Sequence, residues 1–311
     1  MASYLIVRFS AIGDCVMSAY VATAIRSAQP DSQIVWAVET RCMPVLDRER
    51  LLDDVVDFPR DRWRRKRWSP VAWREQLAAF ARLRRMKFDY GLDLQGHSKT
   101  AICLRIACPI RRISAFATDG MARRLNPLAP GDPDAKHRVE RMVDTARCFG
   151  EFQTPDRPIM PKIRSLSEFS VSSELPLVSI STGAGAVNKQ YPADQWTVVS
   201  QALLGKGYAV ALLGASVDPL VAVDGAIDFV GKLSLDRTMS LVANSALHLA
   251  ADTGTGHMAA AYGVPFVSVF GPTDPKLFRP YSDRGVVLRA SNRPGDVPPE
   301  EIIRAAEGLV A

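Results

Sequence analysis

The chain has 311 residues and a formal net charge of +6, with 47% hydrophobic and 23% charged side chains. This composition excludes a disordered, collagenous or coiled-coil chain, and no apolar run approaches the ~18–20 residues of a membrane span. The length predicts two domains of roughly 150 residues each.

Residues 4–9 read as a strand. No charged region precedes it and Arg8 interrupts it, so it reads as a first β-strand and not as a signal peptide. A helix is expected over 13–28, ended near Pro30, then strands over 33–38 and 55–58. Arg60, Arg62, Arg64, Arg65, Lys66 and Arg67 follow within eight residues, interleaved with Trp63 and Trp68. Such a run is either a solvated loop or a contact for an acidic partner: nucleic acid, an anionic membrane surface or an anionic glycan. Indoles among arginines suit a membrane interface or a sugar face. Trp73, Leu77, Phe80 and Ala81 recur at helical spacing and predict a helix over 70–85.

A strand over 88–92, a helix over 97–107, a strand over 110–114, a loop over 118–134 and a helix carrying Val139, Met142, Val143, Ala146 and Phe149 complete the first half. A second basic zone runs from Arg105 to Arg141, so the basic excess belongs mainly to this half. Residues 150–176 hold four prolines and form the candidate linker, giving domains at 1–160 and 161–311. Strands over 177–181, 208–213, 227–230, 246–251, 265–270 and 286–288 then alternate with helices over 193–204, 235–243, 258–262 and 298–309. This alternation in both halves predicts an α/β protein with parallel sheets covered on both faces. Ligands of such sheets sit beyond the C-terminal strand ends, where nearly every polar motif here falls. The five cysteines include no CxxC pair and read as reduced thiols of a cytoplasmic protein.

Five motifs carry candidate chemistry. In Arg8-Phe9-Ser10-Ala11-Ile12-Gly13-Asp14 the dinucleotide fingerprint is absent, and Asp14 is either a helix cap or a general base for a hydroxyl nucleophile. Asp93-Leu94-Gln95-Gly96-His97-Ser98-Lys99-Thr100 is either a capped turn or a set of contacts for sugar hydroxyls and an anion. Around Thr182 and Gly183 small residues allow close backbone approach, and Lys189 is either a phosphate contact or a surface lysine. Asp218 is either a cap or a ribose acceptor. Asp252-Thr253-Gly254-Thr255-Gly256-His257 ends an apolar strand and opens a helix, which aims backbone N–H groups at one point suited to a phosphate. The four histidines are scattered, and no metal set is expected. A nucleotide-sugar epimerase or oxidoreductase would need the missing fingerprint and a Tyr-x-x-x-Lys pair, which the chain also lacks.

Taken in order, these motifs closely resemble glycosyltransferase family 9, the ADP-heptose:lipopolysaccharide heptosyltransferases, possessing also His137-Arg138-Val139-Glu140-Arg141 and Phe270-Gly271-Pro272-Thr273-Asp274-Pro275. The central and His-Arg-Val-Glu-Arg elements lean toward the heptosyltransferase I branch. The resemblance implies a GT-B fold, two Rossmann-like domains facing across a cleft, with no cofactor and no catalytic metal. In this fold the last helix can cross back to the first domain.

The resemblance further implies an inverting transfer of heptose from an ADP-sugar to lipid A–octulosonic acid at the cytoplasmic face of the inner membrane, with no nucleic-acid partner. Asp14 would be the base and Lys189 would offset charge on the leaving diphosphate. Thr182, Gly183, Asp218, Asp252, Thr253, Gly254 and His257 would hold the donor. Arg60, Arg62, Arg64, Gln95, Lys99, His137, Arg138 and Arg141 would hold the anionic acceptor. Asp218 is one methylene shorter than the family's usual Glu. The rival readings are another sugar or acceptor on the same machinery, and a nucleotide-binding module without catalysis.

Overall fold

Two α/β units, Met1–Pro161 and Lys162–Ala311, make up the chain. The computed structural model describes residues 1–169, 171 and 174–310; residues 170, 172 and 173 of the expected linker, and 311, lie outside the described residues.

In the first unit β1 (Ser3–Val7), β2 (Gln33–Val38), β3 (Asp54–Asp57), β4 (Tyr90–Asp93) and β5 (Arg111–Ser114) form one parallel sheet in the order β3-β2-β1-β4-β5. Its helices are α1 (Ile12–Ala28), α2 (Arg60–Arg65), α3 (Pro70–Met86), α4 (Ser98–Ala107), α5 (Gly120–Leu125) and α6 (Arg138–Arg147). The central strand β1 reads Ser-Tyr-Leu-Ile-Val and is buried from Tyr4 onward, as a strand covered on both faces must be. Leu5, Val7, Val35 and Val56 pack under Leu83 of α3 and Leu104 of α4. Each such fully buried aliphatic side chain stabilises the fold by about 1.5–3 kcal/mol. The right-handed crossovers β1–α1–β2 and β4–α4–β5 run in opposite directions across the sheet, which puts α1, packed on α6, on the other face.

In the second unit β6 (Leu177–Ser181), β7 (Ala209–Leu213), β8 (Ile227–Asp228), β9 (Leu247–Ala251), β10 (Phe266–Val269) and β11 (Gly285–Leu288) form a parallel sheet in the order β11-β10-β9-β6-β7-β8. The helices are α7 (Ala193–Gly205), α8 (Leu235–Ala243), α9 (Gly254–Tyr262), α10 (Pro275–Phe278) and α11 (Pro299–Val310). One face buries Ile180, Leu249 and Val267 under Trp196 and Leu203 of α7 and Ile302 and Ala306 of α11. The opposite face includes a buried polar cluster: on neighbouring strands Ser179 Oγ lies 2.8 Å from His248 Nδ1 and accepts from Ser245 Oγ at 2.8 Å. Complete burial drives the His248 imidazole down to about 3, so it stays neutral.

The direction in which the chain adds successive parallel strands reverses between β1 and β4 in one unit and between β6 and β9 in the other. These are the topological switch points where open α/β sheets bind ligands.

Several local features differ from the sequence expectation. The basic run 60–67, which the sequence leaves open between a solvated loop and a partner contact, is largely helical: α2 occupies most of it, and Trp63 is buried with its indole N–H donating to Glu75 at 3.0 Å. The expected loop 118–134 contains α5, started by Asp119, whose carboxylate accepts from Ala122 N at 2.8 Å. The helix after β9 begins at Gly254, four residues before 258. The last helix, α11, packs on α7 and on β9, β10 and β11 of its own unit.

Candidate active site

At the first switch point the pairing of Val7 with Asp93 brings the chain ends of β1 and β4 to one edge. Arg8 leaves β1 there. Its guanidinium donates to the Leu94 carbonyl and pairs with the Asp14 carboxylate. Asp14 stands in the first turn of α1, and its Oδ2 also accepts from Ala11 N at 3.1 Å. The carboxylate is therefore held from two sides while still reaching solvent. Capping and an exposed, oriented carboxylate are compatible here.

The loop after β4 is organised by Asp93. Its Oδ1 accepts from Gln95 N at 3.0 Å and Gly96 N at 2.9 Å, and its Oδ2 accepts from Thr100 Oγ1 at 3.1 Å. Burial outweighs these bonds and pushes its carboxyl up to about 6. Gly96 takes a left-handed φ of 75° and lies against the Phe116 backbone, where no side chain fits. Gln95 is buried, and its side-chain oxygen accepts from Phe9 N at 3.0 Å, tying the loop after β4 to the loop after β1.

Lys99, in the first turn of α4, lines a cavity of about 310 Å³ with Ser10, Glu39, Arg41, Arg60, Asp61 and Arg64. Four cations face two carboxylates there, so the cavity favours an anion. Burial, then the Arg60 charge, lower the Lys99 ammonium. Glu39 is buried just past β2 and pairs with Arg60 at 2.6 Å and Arg41 at 3.0 Å, fixing both guanidinium groups at the cavity wall. Arg62 turns to Glu75 at 2.7 Å and lines a neighbouring cavity of about 370 Å³. Arg64 pairs with Asp61 at 2.9 Å.

The first turn of α6 holds the remaining basic residues. His137 Nδ1 accepts from Val139 N at 3.2 Å and caps the helix. Arg138 lies 4.5 Å from the centre of the Phe116 ring and pairs with Asp134 at 3.0 Å. Burial lowers its guanidinium, and the Asp134 and Asp14 carboxylates oppose that. Arg141, expected among the acceptor contacts, does not face a ligand. It is fully buried and donates to the carbonyls of Ala115 at 2.9 Å, Ala129 at 2.8 Å and Pro130 at 2.6 Å. An enclosed guanidinium must satisfy its donors locally, and this one does so by pinning the segment 115–130.

At the second switch point Lys189 Nζ pairs with Asp252 Oδ2 at 2.7 Å, and Ser181 Oγ meets Thr255 Oγ1 at 2.7 Å. These bonds join the loop after β6 to the turn after β9. Thr253 stands at the N-cap of α9 with no side-chain cap bond, followed by Gly254. The first backbone N–H groups of α9 point out of the helix along the positive end of its dipole, an arrangement that binds phosphate. His257 is buried one turn further on. Thr182 is buried, its N–H donating to Leu213 O at 2.9 Å. Gly183 has no room for a side chain, because the Asp218 carboxylate occupies that space. Asp218 Oδ2 accepts from Ala215 N at 2.6 Å, so it stabilises the turn after β7 while lying against the loop after β6. Among the described residues, no group of three or more His, Cys, Asp and Glu gathers in a metal-ligating arrangement.

The profile of glycosyltransferase family 9 (heptosyltransferase) matches residues 76–297, well over half of the chain. The chain belongs to glycosyltransferase family 9. Lipopolysaccharide heptosyltransferase 1 of Pseudomonas aeruginosa is 27% identical over 305 residues, covering 91% of this chain and 82% of the relative. Lipopolysaccharide heptosyltransferase 1 of Escherichia coli is 24% identical, covering 92% and 93%. The structure of E. coli heptosyltransferase WaaC with ADP superposes with a TM-score of 0.82 at 20% identity over 99% of both chains. E. coli ADP-heptose lps heptosyltransferase II gives a TM-score of 0.78 at 21% identity over 100% of this chain and 98% of that one. The chain thus has the GT-B fold of the family. The matched span includes the loops after β4, β6 and β9; Asp14 and α2 precede it.

Sequence reasoning did not single out Glu39 or the clamp that Arg8 makes between β1 and β4. Each directly follows a strand, at the edge where open α/β sheets bind ligands, and that position was the available signal.

Proposed function

We propose that this family 9 enzyme transfers heptose from ADP-heptose to an anionic glycolipid, lipid A carrying octulosonic acid, with inversion at the anomeric carbon. The acceptor hydroxyl attacks that carbon and forms the new C–O bond. The bond to the diphosphate oxygen breaks, and ADP leaves with the electron pair. Asp14 takes the hydroxyl proton. Lys189 and the N-terminus of α9 stabilise the charge that grows on the diphosphate. Asp252 orients Lys189 and contacts the sugar; Asp218 receives the ribose. Lys99, Arg60 and Arg64 hold the acceptor's acidic groups, with Arg62, Gln95, His137 and Arg138 around them. An acceptor of this kind places the enzyme at the cytoplasmic face of the inner membrane.

The single observation that carries the reading is the division of labour between the switch points. One presents an oriented carboxylate beside a cationic cavity, and the other a lysine beside a helix N-terminus. The similarity to heptosyltransferases, one of them solved with ADP, supports the donor.

The test is acceptor-dependent ADP release from ADP-heptose by wild type and Asp14→Asn. Loss of the base lowers kcat by about 10²–10⁴-fold, while the Kd for ADP-heptose stays within about twofold. Retained kcat would refute the base assignment. A wild-type protein that fails to bind ADP-heptose would refute the donor.

A further inference from the structure

We infer that the outer face of α3, with the turn before it, is a docking surface for an anionic lipid bilayer, centred on Trp68, Trp73 and Leu77. These side chains are 82%, 56% and 65% exposed, although each is large and apolar. Trp73 and Leu77 are four residues apart and adjoin on one side of α3, while Ala72 and Leu83 face the core. The Trp73 indole N–H donates to Arg67 O at 2.9 Å, which ties the ring to the turn carrying Trp68. The Arg67 guanidinium lies 5.4 Å from the centre of the Trp68 ring. The three exposed apolar side chains are thus gathered on α3 and the turn tied to it, as a patch and not as isolated positions along the chain.

Charge identifies the occupant. Between residues 60 and 87 the chain has 11 Lys and Arg against 2 Asp and Glu. Both acids are already paired, Asp61 with Arg64 and Glu75 with Arg62. Arg65, Lys66, Arg67, Arg74, Arg84 and Arg85 are exposed beside the apolar patch. A protein partner would cover the patch with its own apolar groups and need not be strongly acidic. A bilayer with anionic headgroups satisfies both halves at once: indoles settle at headgroup level and arginines meet phosphates. The surface is distinct from the cavity around Lys99. It rests on the reading of a membrane-borne acceptor for its purpose, but its binding is measured without any sugar.

The full-length protein is mixed with phosphatidylcholine vesicles, with and without phosphatidylglycerol, and with the same lipids brominated in the acyl chains. Trp36, Trp63 and Trp196 are buried, so quenching by bromine reports Trp68 and Trp73. The expected results are binding that requires phosphatidylglycerol, quenched tryptophan emission, and a loss of about tenfold or more in vesicle affinity for Trp68→Ser/Leu77→Ser. The melting temperature of that variant and its turnover on a lipid-free, water-soluble acceptor stay at wild-type values. Unquenched emission, equal binding by the variant, or binding to RNA with none to vesicles would overturn the surface. So would a variant impaired on the lipid-free acceptor, which would make the patch part of the sugar site. A protein that binds vesicles as expected but never releases ADP keeps the surface and loses the proposed reaction.

Discussion

The ion pair Arg8–Asp14 in the first unit and Lys189–Asp252 in the second use the same components in reverse. Arg8 is 9% exposed and Asp14 31%; Asp252 is 9% exposed and Lys189 31%. The buried partner is thus the cation in one pair and the carboxylate in the other. A buried charge is held by its mate and by the strand end that carries it, and the outward member is the one that reaches solvent. The first unit therefore turns a carboxylate outward and the second an ammonium, which is what the proposed hydroxyl nucleophile and diphosphate leaving group would need. The pairs also differ in reach. Arg8 and Asp14 belong to one loop and the helix it enters, whereas Lys189 and Asp252 are 63 residues apart and meet because β6 and β9 are neighbours.

The reversal is broken most directly by removing the outward group of each pair. Asp14→Asn should cost kcat and spare donor affinity, as described above. Lys189→Met should do both kinds of damage: a fall of about 10²–10³-fold in kcat and roughly tenfold weaker ADP binding by calorimetry, because a cation at a diphosphate acts in both ground and transition states. Lys189→Arg keeps the charge and should recover most of the ADP affinity. A Lys189→Met enzyme with wild-type ADP affinity would mean that Lys189 serves Asp252 alone, and the symmetry between the pairs would fail.

A smaller effect tests which basic residues of the first unit face the ligand. Arg141→Lys leaves one ammonium where a guanidinium fork satisfied three carbonyls, and no rotamer of lysine can replace it. Unfolding should become easier by about 3 kcal/mol, a fall of roughly 6–12 °C in Tm for a unit of this size. Arg60→Lys, at the cavity wall, should raise the acceptor KM with little change in Tm. Thermal melts and acceptor titrations on both variants distinguish structure from recognition. An Arg141→Lys protein of unchanged Tm would return that residue to the ligand.

What the sequence made legible follows from what is local. Strands over 33–38 and 177–181 are found where expected, because a strand buried on both faces is mostly apolar whatever its neighbours are, interrupted in β6 only by the small residues Ser179 and Ser181. The polar motifs were also legible, since in alternating α/β chains each one follows a strand. The rest depends on contacts distant in sequence. Residues 60–67 offered no apolar periodicity, and only the packing of Trp63 beneath them makes α2 definite. Arg141 looked like its basic neighbours, and its enclosure by carbonyls 11 to 26 residues away could not be read from spacing. The partnership of Lys189 with Asp252 requires the strand order, which neither motif contains.

Asp93 gives the finest test, because it lies beside the Arg8–Asp14 pair without taking part in it. Its carboxyl is shifted from the ordinary 3.8 up to about 6 by burial. Between those two values the folded protein binds more protons than the unfolded chain, so stability falls as pH rises through that window and is level above it. The shift corresponds to a cost on the order of 3 kcal/mol for carrying the ionised form at neutral pH. Asp93→Asn keeps the acceptor for Gln95 N and Gly96 N, and its amide N–H can donate to Thr100 Oγ1, whose own proton then goes to the His97 carbonyl. The variant should therefore match or exceed wild type in Tm at pH 7.5, and this advantage should shrink by pH 4.5. Melting curves at both values decide it. If Asn is instead destabilising at pH 7.5 and the difference vanishes in acid, the backbone donors hold Asp93 ionised. The loop after β4 would then be organised by a buried charge, as its neighbour after β1 is.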